Sequence, residues 1–269
     1  MRSRILSVTL FWGLTLADAS LAGETLPPSA DAVQAAFDRF VQAASRTNWP
    51  AELEAREALL TLGPVIIPKL TEAARDHREW RVRRSCYDLL TRSFANDDRT
   101  ADALLQHGLH DQDSGIRYQS AFYLGDLKVQ RAEQALRAAF EKATGNDDQL
   151  YRFTLAKSLA QLGQADVLPV LIAAVSDDAY MSRHIGNIGL KALSGKSLDD
   201  FGGYVYGEGA FVTGGLELSA SVDALTAVKR KSGRFRAAEA YLEWLKAERP
   251  ELYCSVNYRL QSRRAAASR

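Results

Sequence analysis

Residues 113–125 read DSGIRYQSAFYLG and residues 148–163 read DQLYRFTLAKSLAQLG, so the chain contains one pattern twice. Ile116 and Tyr151 hold equivalent places in the two segments and stand 35 residues apart. That distance is far longer than a helix period and is typical of a structural repeat. Each unit holds two apolar runs at helical spacing. This predicts a hairpin of two helices that must stack on its neighbours to bury its apolar face.

The same register extends in both directions from this pair of segments. Four units carry an arginine that is followed by a leucine seven residues later. These pairs are Arg83 and Leu90, Arg117 and Leu124, Arg152 and Leu159, and Arg183 and Leu190. A further unit upstream runs from Arg56 through Leu62-Gly63-Pro64 to Leu70. Residues 51–194 therefore contain four clear units and a fifth, degenerate one.

Residues at fixed places in each unit match the chemistry of helix ends. An aspartate is expected at the start of the first helix, where its carboxylate accepts from free backbone N–H groups. These aspartates are Asp76, Asp113, Asp148 and Asp178. The Leu-Gly pairs are expected to end the first helices, because glycine adopts a left-handed conformation at little cost. Pro64, Pro68 and Pro169 suit the first turn of a second helix, and Ala121 and Ala156 allow two helices to approach closely. The pattern predicts an all-α fold, a right-handed α-solenoid of helical hairpins.

The positions Asp…Val/Ile-Arg…Ala…Leu-Gly…Ile-Pro-x-Leu resemble the HEAT-repeat family, in particular the short bacterial repeats related to phycobilisome-lyase proteins. The resemblance covers about half of the chain. It implies a solenoid scaffold and says little about function, because that family is defined by its scaffold. The lyase-related subtype implies an alternative function, that of an enzyme or a cofactor-handling protein.

Residues 1–22 have the features of a secretory signal peptide. They begin with the basic segment MRSR, continue with an apolar run over 5–16, and offer small-residue cleavage sites at 17–19 and 20–22. The apolar run is too short to span a bilayer. The protein is therefore predicted to be exported, periplasmic or secreted, without a membrane span.

Further segments flank the repeats. They are predicted as an amino-terminal capping helix at 29–47 with Ser29 as its cap, a glycine and aromatic loop at 195–221, capping helices at 222–262, and a disordered tail at 263–269. Trp49-Pro50 is expected to break the chain before the first repeat. The aromatic residues of the loop predict that it is ordered in the last hairpin rather than a plain spacer.

The leading hypothesis is an exported scaffold that binds a protein or peptide and has no catalysis of its own. Stacked hairpins form an extended concave surface suited to such a ligand, and this face is assigned to the second helices together with the loop. The predicted binding residues are Phe201, Tyr204, Tyr206 and Phe211 around the loop, with Lys69 and Arg137 on second helices. The alternative is an enzyme or cofactor-handling protein with its site at the loop.

No catalytic residue, cofactor or metal site is predicted. Gly195-Lys196-Ser197 lacks the earlier glycine of a phosphate loop and ends a helix instead of opening one. Residues 107–113 hold two histidines and two aspartates, which fit helix ends better than a metal site. Removal of 1–22 leaves a net charge near zero, so nucleic acid is not an expected partner. Whether Cys86 and Cys254 pair is left open by the sequence.

Overall fold

The computed structural model describes residues 28–46, 48–144, 148–177, 179–201 and 237–253, and the regular elements in these ranges are all helices. Ten of them are α1 Ala30–Ser45, α2 Trp49–Thr61, α3 Ile67–Asp76, α4 Trp80–Ser93, α5 Asp98–Gln106, α6 Ser114–Asp126, α7 Glu133–Lys142, α8 Gln149–Gln161, α9 Leu168–Val175 and α10 Tyr180–Ser194. Residues 237–248 are helical too and are numbered α11. The predicted all-α fold is confirmed.

The helices form hairpins that stack along the chain. Helices α2 and α3 form the first hairpin, α4 and α5 the second, α6 and α7 the third, and α8 and α9 the fourth, while α10 opens the fifth. In each hairpin the earlier helix is the first helix and the later one is the second helix. Successive first helices contact one another from α4 through α6 and α8 to α10, and second helices also contact the next first helix. This arrangement is an α-solenoid, as the repeat predicts.

Helix α1 precedes the first hairpin and packs against α2 and α4. The Ser29 side chain accepts a hydrogen bond from the Ala32 N–H at 3.2 Å, so the predicted cap is confirmed. The prediction that Trp49-Pro50 breaks the chain was wrong, because these residues begin α2. Asn48 caps α2 by accepting from the Ala51 N–H, and proline suits the first turn because that position needs no N–H donor.

The aspartates expected at the starts of first helices have different roles. Asp113 caps α6 as predicted, since its Oδ1 accepts from the Ile116 N–H at 3.0 Å. The prediction for Asp76 was wrong, because it ends α3 and pairs with Arg75. Asp148 stands at the N-cap of α8 but makes no capping bond through its side chain. Asp178 lies outside the described residues.

The glycines of the Leu-Gly pairs also divide into two kinds. Gly63 and Gly163 have φ values of +67° and +88°, so the predicted left-handed turns are confirmed there. The prediction for Gly125 was wrong, because the left-handed residue of that turn is Lys128, with φ of 51°. Gly125 lies inside α6, where an added Cβ would stand 2.6 Å from the Ser158 Cα. Glycine is needed there for the close approach of α6 to α8, not for its backbone freedom.

The repeated arginine of the sequence pattern binds backbone carbonyls at the turn that precedes its own helix. Arg83, Arg117 and Arg183 each donate to the carbonyl six residues earlier, which belongs to His77, Asp111 and Asp177 respectively. Arg152 reaches back further and donates to the carbonyls of Phe140 and Ala143. Carbonyls at the end of one hairpin are thereby satisfied from the start of the next.

Ion pairs add links between consecutive hairpins. Arg83 donates two bonds to the carboxylate of Asp111, at 2.8 and 2.7 Å, and both side chains are almost buried. Burial by itself would raise the pKa of Asp111, but the bonds from Arg83 and from the Asp113 N–H, together with the charges of Arg83 and Arg117, outweigh it and the pKa is lowered. The ionised carboxylate is thus the form that the fold selects, and it ties the second hairpin to the third.

Helix α8 lies at the centre of the stack, and every side chain from Phe153 to Ala160 is buried. Leu159 and Ala156 are fully buried, as the register predicts. The Ser158 hydroxyl donates to the Ala121 carbonyl at 2.7 Å and so joins α8 to α6. Close packing on both sides leaves no solvent-facing stripe on this part of α8.

One charged residue, Lys157, lies within this buried helix. Its Nζ donates to the Phe122 carbonyl at 3.1 Å, bonds to the Asp126 carboxylate, and stands 3.6 Å from the centroid of the Phe122 ring. Burial lowers the pKa of Lys157 to about 8, although the attraction of Asp126 opposes that shift. A lysine with a lowered pKa can mark a reactive site. Here the side chain has no exposed surface, so its contacts assign it to the α6–α8 interface.

We predict that Leu159→Ala lowers the free energy of unfolding by about 2–5 kcal/mol, because it removes a fully buried leucine from a packed core. Urea unfolding followed by circular dichroism measures the change. Leu150→Ala is the control, since Leu150 lies in the same helix with 37% of its surface exposed. A loss below about 0.5 kcal/mol for the Leu159 variant would mean that the helix register is wrong.

We predict that Lys157 makes stability increase with pH in the alkaline range. The unfolded lysine keeps its proton up to about pH 10.4, whereas the folded one releases it at about 8, so the unfolded state binds more protons between these values. Wild type should therefore gain on the order of 2 kcal/mol relative to Lys157→Met between pH 7 and 10. Urea unfolding at both pH values tests this, with the exposed Lys142→Met as control. Parallel pH profiles for wild type and Lys157→Met would contradict it.

Candidate functional site

The two cations assigned to the binding surface both have partners inside the solenoid. Lys69, on α3, donates from its Nζ to the Gln34 Oε1 of α1 at 2.5 Å. Arg137, on α7, donates to both carboxylate oxygens of Asp166 at 2.6 and 2.7 Å. A ligand would have to compete with these internal contacts. Their role in binding stays a prediction.

Phe201 packs at the carboxyl end of the described solenoid. Its ring centroid lies 5.7 Å from that of Tyr241 and 5.9 Å from that of Trp244, both on α11. The buried Tyr241 donates from its hydroxyl to the Ser194 Oγ at 2.9 Å. The half-buried Phe201 therefore helps to hold α11 on the end of α10. The other predicted aromatic residues, Tyr204, Tyr206 and Phe211, lie outside the described residues.

The turn after α10 is held together by its own side chains. Gly195 has φ of +78° and ends α10 with a left-handed residue. The backbone N–H and the hydroxyl of Ser197 both bond to the Asp200 carboxylate, and Asn187 bonds to Asp199 and to the Leu198 N–H. These N–H groups are directed at carboxylate and amide oxygens of the chain itself.

The acidic residues of the segment 107–113 serve the fold. Asp111 binds Arg83 and the N–H of Asp113, and Asp113 caps α6. In the part of the chain that the structure describes, no three His, Cys, Asp or Glu side chains are placed to hold a metal ion. Within the same residues, no helix is both long and apolar enough to cross a bilayer.

Four exposed large apolar side chains cluster in the first repeat, which the sequence reasoning did not single out. Trp49, Leu53 and Leu60 are 63%, 46% and 40% exposed, and Val65, just after α2, is 50% exposed. The first three stand at i, i+4 and i+11 and therefore share one face of α2. We call them the α2 stripe. The signal was present in the sequence, because α2 carries apolar residues on its outer face as well as the buried Leu59.

Helices α2 and α4 lie side by side and run in the same direction. The Ser85 hydroxyl donates to the Glu52 carboxylate at 2.7 Å, and Arg56 bonds to Asp88 one turn further along both helices. Burial would raise the pKa of Asp88, but its bonds from Arg56 and Arg92 outweigh this and the pKa is lowered. The charged groups between α2 and α4 thus neutralise one another.

This pairing places the amino-terminal ends of α2 and α4 at one edge of the solenoid. Trp49 is the first residue of α2, and Trp80 is the first residue of α4 with 39% of its surface exposed. The Arg81 guanidinium lies 4.8 Å from the centroid of the Trp80 ring. Aromatic and arginine side chains are the residues most enriched where proteins bind one another. The arrangement can therefore supply contacts to a protein.

Comparison with known proteins identifies the repeated segment. The family model for HEAT repeats matches residues 101–185, which span α6 to α9 with parts of α5 and α10. A search of curated proteins finds no match. The matched residues include the two segments whose identity of pattern first indicated a repeat. Residues 101–185 therefore carry HEAT repeats, and the described residues fold as an all-α solenoid.

Proposed function

We propose that this protein is an exported scaffold that binds another protein. The observation that carries the proposal is the α2 stripe together with Val65, four large apolar side chains that are each at least 40% exposed within residues 49–65. Exposed apolar residues that cluster in this way mark interaction sites in soluble proteins, whereas single ones need no explanation. The HEAT-repeat match supports the same proposal, because stacked repeats offer extended surfaces for protein ligands.

The second helices and the glycine and aromatic loop remain part of the proposed surface. Lys69 and Arg137 lie on second helices, and although both are bonded internally, Arg137 keeps 24% of its side chain exposed. The α2 stripe and these residues belong to different layers of the solenoid. A partner that contacts both layers has to wrap around the first hairpin or bind across its edge.

Export is the second element of the proposal. It is supported by the basic start, the short apolar run and the small-residue cleavage sites within residues 1–22. The periplasm or the exterior of the cell is the compartment that such a leader implies. In an oxidising compartment a reactive thiol would be at risk, and Cys86, on α4, is fully buried with a raised pKa caused mainly by that burial.

We predict that the native protein begins near Ser20 or Gly23, because cleavage follows the small residues Ala19 or Ala22. Mass spectrometry of the protein isolated from its own cells gives the terminus. A variant with Leu10 and Leu14 changed to Arg disrupts the apolar run and should accumulate uncleaved in the cytoplasm. Wild-type protein that retains Met1 and stays in the cytoplasm would show that export is wrong.

We predict that the mature chain captures one protein from the exported fraction and re-forms a stoichiometric complex with that protein after separate purification. The double variant Leu53→Ser, Leu60→Ser should weaken the complex at least about tenfold, since it removes apolar anchors without changing the core. Leu150→Ser, a comparably exposed leucine on α8, is the matched control. Calorimetric titration of the purified pair measures both affinities.

Two results would contradict the proposed scaffold function. One is the absence of any protein that re-forms a complex with the purified chain. The other is a purified mature protein that holds a chromophore, a metal or a nucleotide, which would favour the enzyme or cofactor-handling alternative. Variants Tyr204→Ser, Tyr206→Ser and Phe211→Ser, combined in one chain, test the loop with the same titration.

A further inference from the structure

Large exposed apolar residues recur where the first helices begin. Trp49 and Trp80 are the first residues of α2 and α4, and Leu150 and Met181 are the second residues of α8 and α10. Helix α6 has Gly115 at this place. The parallel first helices bring these positions to one edge of the solenoid. An apolar row therefore follows that edge, with an interruption at α6.

Among the described residues, the row is strongly basic only beside α4. Arg78 has 89% of its side chain exposed, and Arg81 and Arg84 are exposed as well. Arg81 lies against the Trp80 ring, and the Arg84 guanidinium extends toward α6, where its Nη1 stands 4.0 Å from the place of a Cβ on Gly115. One guanidinium group thus lies over the exposed Trp80 ring, and two more exposed arginines stand two residues before it and four residues after it in sequence.

Two of these three arginines differ from their neighbours in having no partner of opposite charge among the described residues. Arg81 and Arg84 make no ion pair with any described residue, and the contact of Arg78 with Glu79 spans 3.9 Å. Arg83, in the same helix, is fully engaged by Asp111 and by backbone carbonyls. The fold therefore neutralises Arg83, whereas Arg81 and Arg84 are exposed without an ion pair to a described residue, and Arg78 meets only Glu79.

Beside α8 and α10, the described arginines are engaged differently. Arg152 and Arg183, close to Leu150 and Met181 in sequence, donate into carbonyls of the preceding turns. Their charge is therefore used inside the solenoid. Leu150 and Met181 resemble Trp80 in exposure, at 37% and 42%, but the residues that the structure describes near them include no such group of exposed arginines. They serve as matched controls for the basic end.

We propose that Trp49, Trp80, Arg78, Arg81 and Arg84 form a docking site for an acidic segment of a protein partner that carries an aromatic or aliphatic anchor. We call this set the basic aromatic edge. The inference rests on the proposed scaffold function and names the chemistry of the partner. A guanidinium that lies over a tryptophan ring keeps its N–H groups free at the edge of its own plane. There they can bind a carboxylate through two bonds. The exposed rings supply the apolar contact beside them.

The surroundings favour an acidic protein segment over nucleic acid. The α2 stripe next to the edge is bordered by Glu54 and Glu57, both exposed, which would repel a continuous row of phosphates. The chain without residues 1–22 has a net charge near zero, so no long-range field attracts a polyanion. A short acidic segment with an apolar anchor can bind this edge without extending to Glu54 and Glu57, and it then meets one glutamate, Glu79, which lies 3.9 Å from Arg78.

The test uses the mature full-length chain and a fluorescein-labelled random copolymer of glutamate and tyrosine, with binding followed by fluorescence anisotropy. We expect saturable binding that weakens with added salt. Trp80→Ala and the triple variant Arg78→Ala, Arg81→Ala, Arg84→Ala should each weaken it at least about tenfold. Met181→Ala and Lys142→Ala, at comparably exposed positions elsewhere, should leave it unchanged. Trp80→Tyr should restore most of the binding that Trp80→Ala loses, which separates ring contact from a folding defect.

Several outcomes would overturn the proposal. They are equal binding of polyglutamate without tyrosine, tighter binding of a single-stranded oligonucleotide or of vesicles rich in anionic lipid, and equal binding by all the variants. Self-association abolished by Trp80→Ala would assign the edge to a second copy of the chain instead. If the partner captured by the wild type binds the edge variants just as well, the scaffold function stands and this site is wrong. If no protein partner exists, the scaffold function itself fails.

Discussion

The solenoid depends on how the carbonyl groups between successive hairpins find donors. A helix ends with carbonyls that have no partner in the helix, and a chain of short hairpins has such an end every few turns. Here an arginine near the start of the next first helix supplies the donors, as Arg83, Arg117 and Arg183 show. Because one side chain bonds at the turn and also belongs to the following helix, it couples the direction of each hairpin to the position of the turn before it. A solenoid has contacts only between neighbours, so this local coupling determines how the whole stack is held together.

Arginine side chains are used in two ways in this protein, and the difference bears on function. Arg83 is almost buried between two hairpins, and its charge is neutralised by Asp111. Arg81 and Arg84, on the same helix, are exposed, and Arg81 lies over the Trp80 ring. A paired and buried arginine contributes to the fold but has nothing left to offer a ligand, whereas an unpaired one still has its full charge and all its donors. The arginines available for binding are therefore those that make no ion pair within the fold.

The candidate surface was only partly predictable for that reason. Lys69 and Arg137 were predicted to bind the partner because they lie on second helices, which were expected to face it. Their side chains instead bond to Gln34 and Asp166 of neighbouring helices. The ends of long side chains find partners about 30 residues away in sequence, and no local pattern shows which oxygen is in range. Trp49 was interpreted as part of a chain break because proline follows it, although a proline also fits the first turn of a helix. The exposed stripe that begins at Trp49 was missed with it.

The sequence by itself determined the repeat, its period, the helical hairpins and many of their ends. These depend on local chemistry, such as the left-handed turns at Gly63 and Gly163 or the cap at Asp113, which works in the same way wherever the segment occurs. Tertiary structure alone decided why α6 needs Gly125, since the atom it must avoid belongs to Ser158 in the next hairpin. It also decided which arginines are neutralised and which stay free, and that Lys157 is buried against Asp126. Each of these depends on a distance between residues that only the stacking of hairpins brings together.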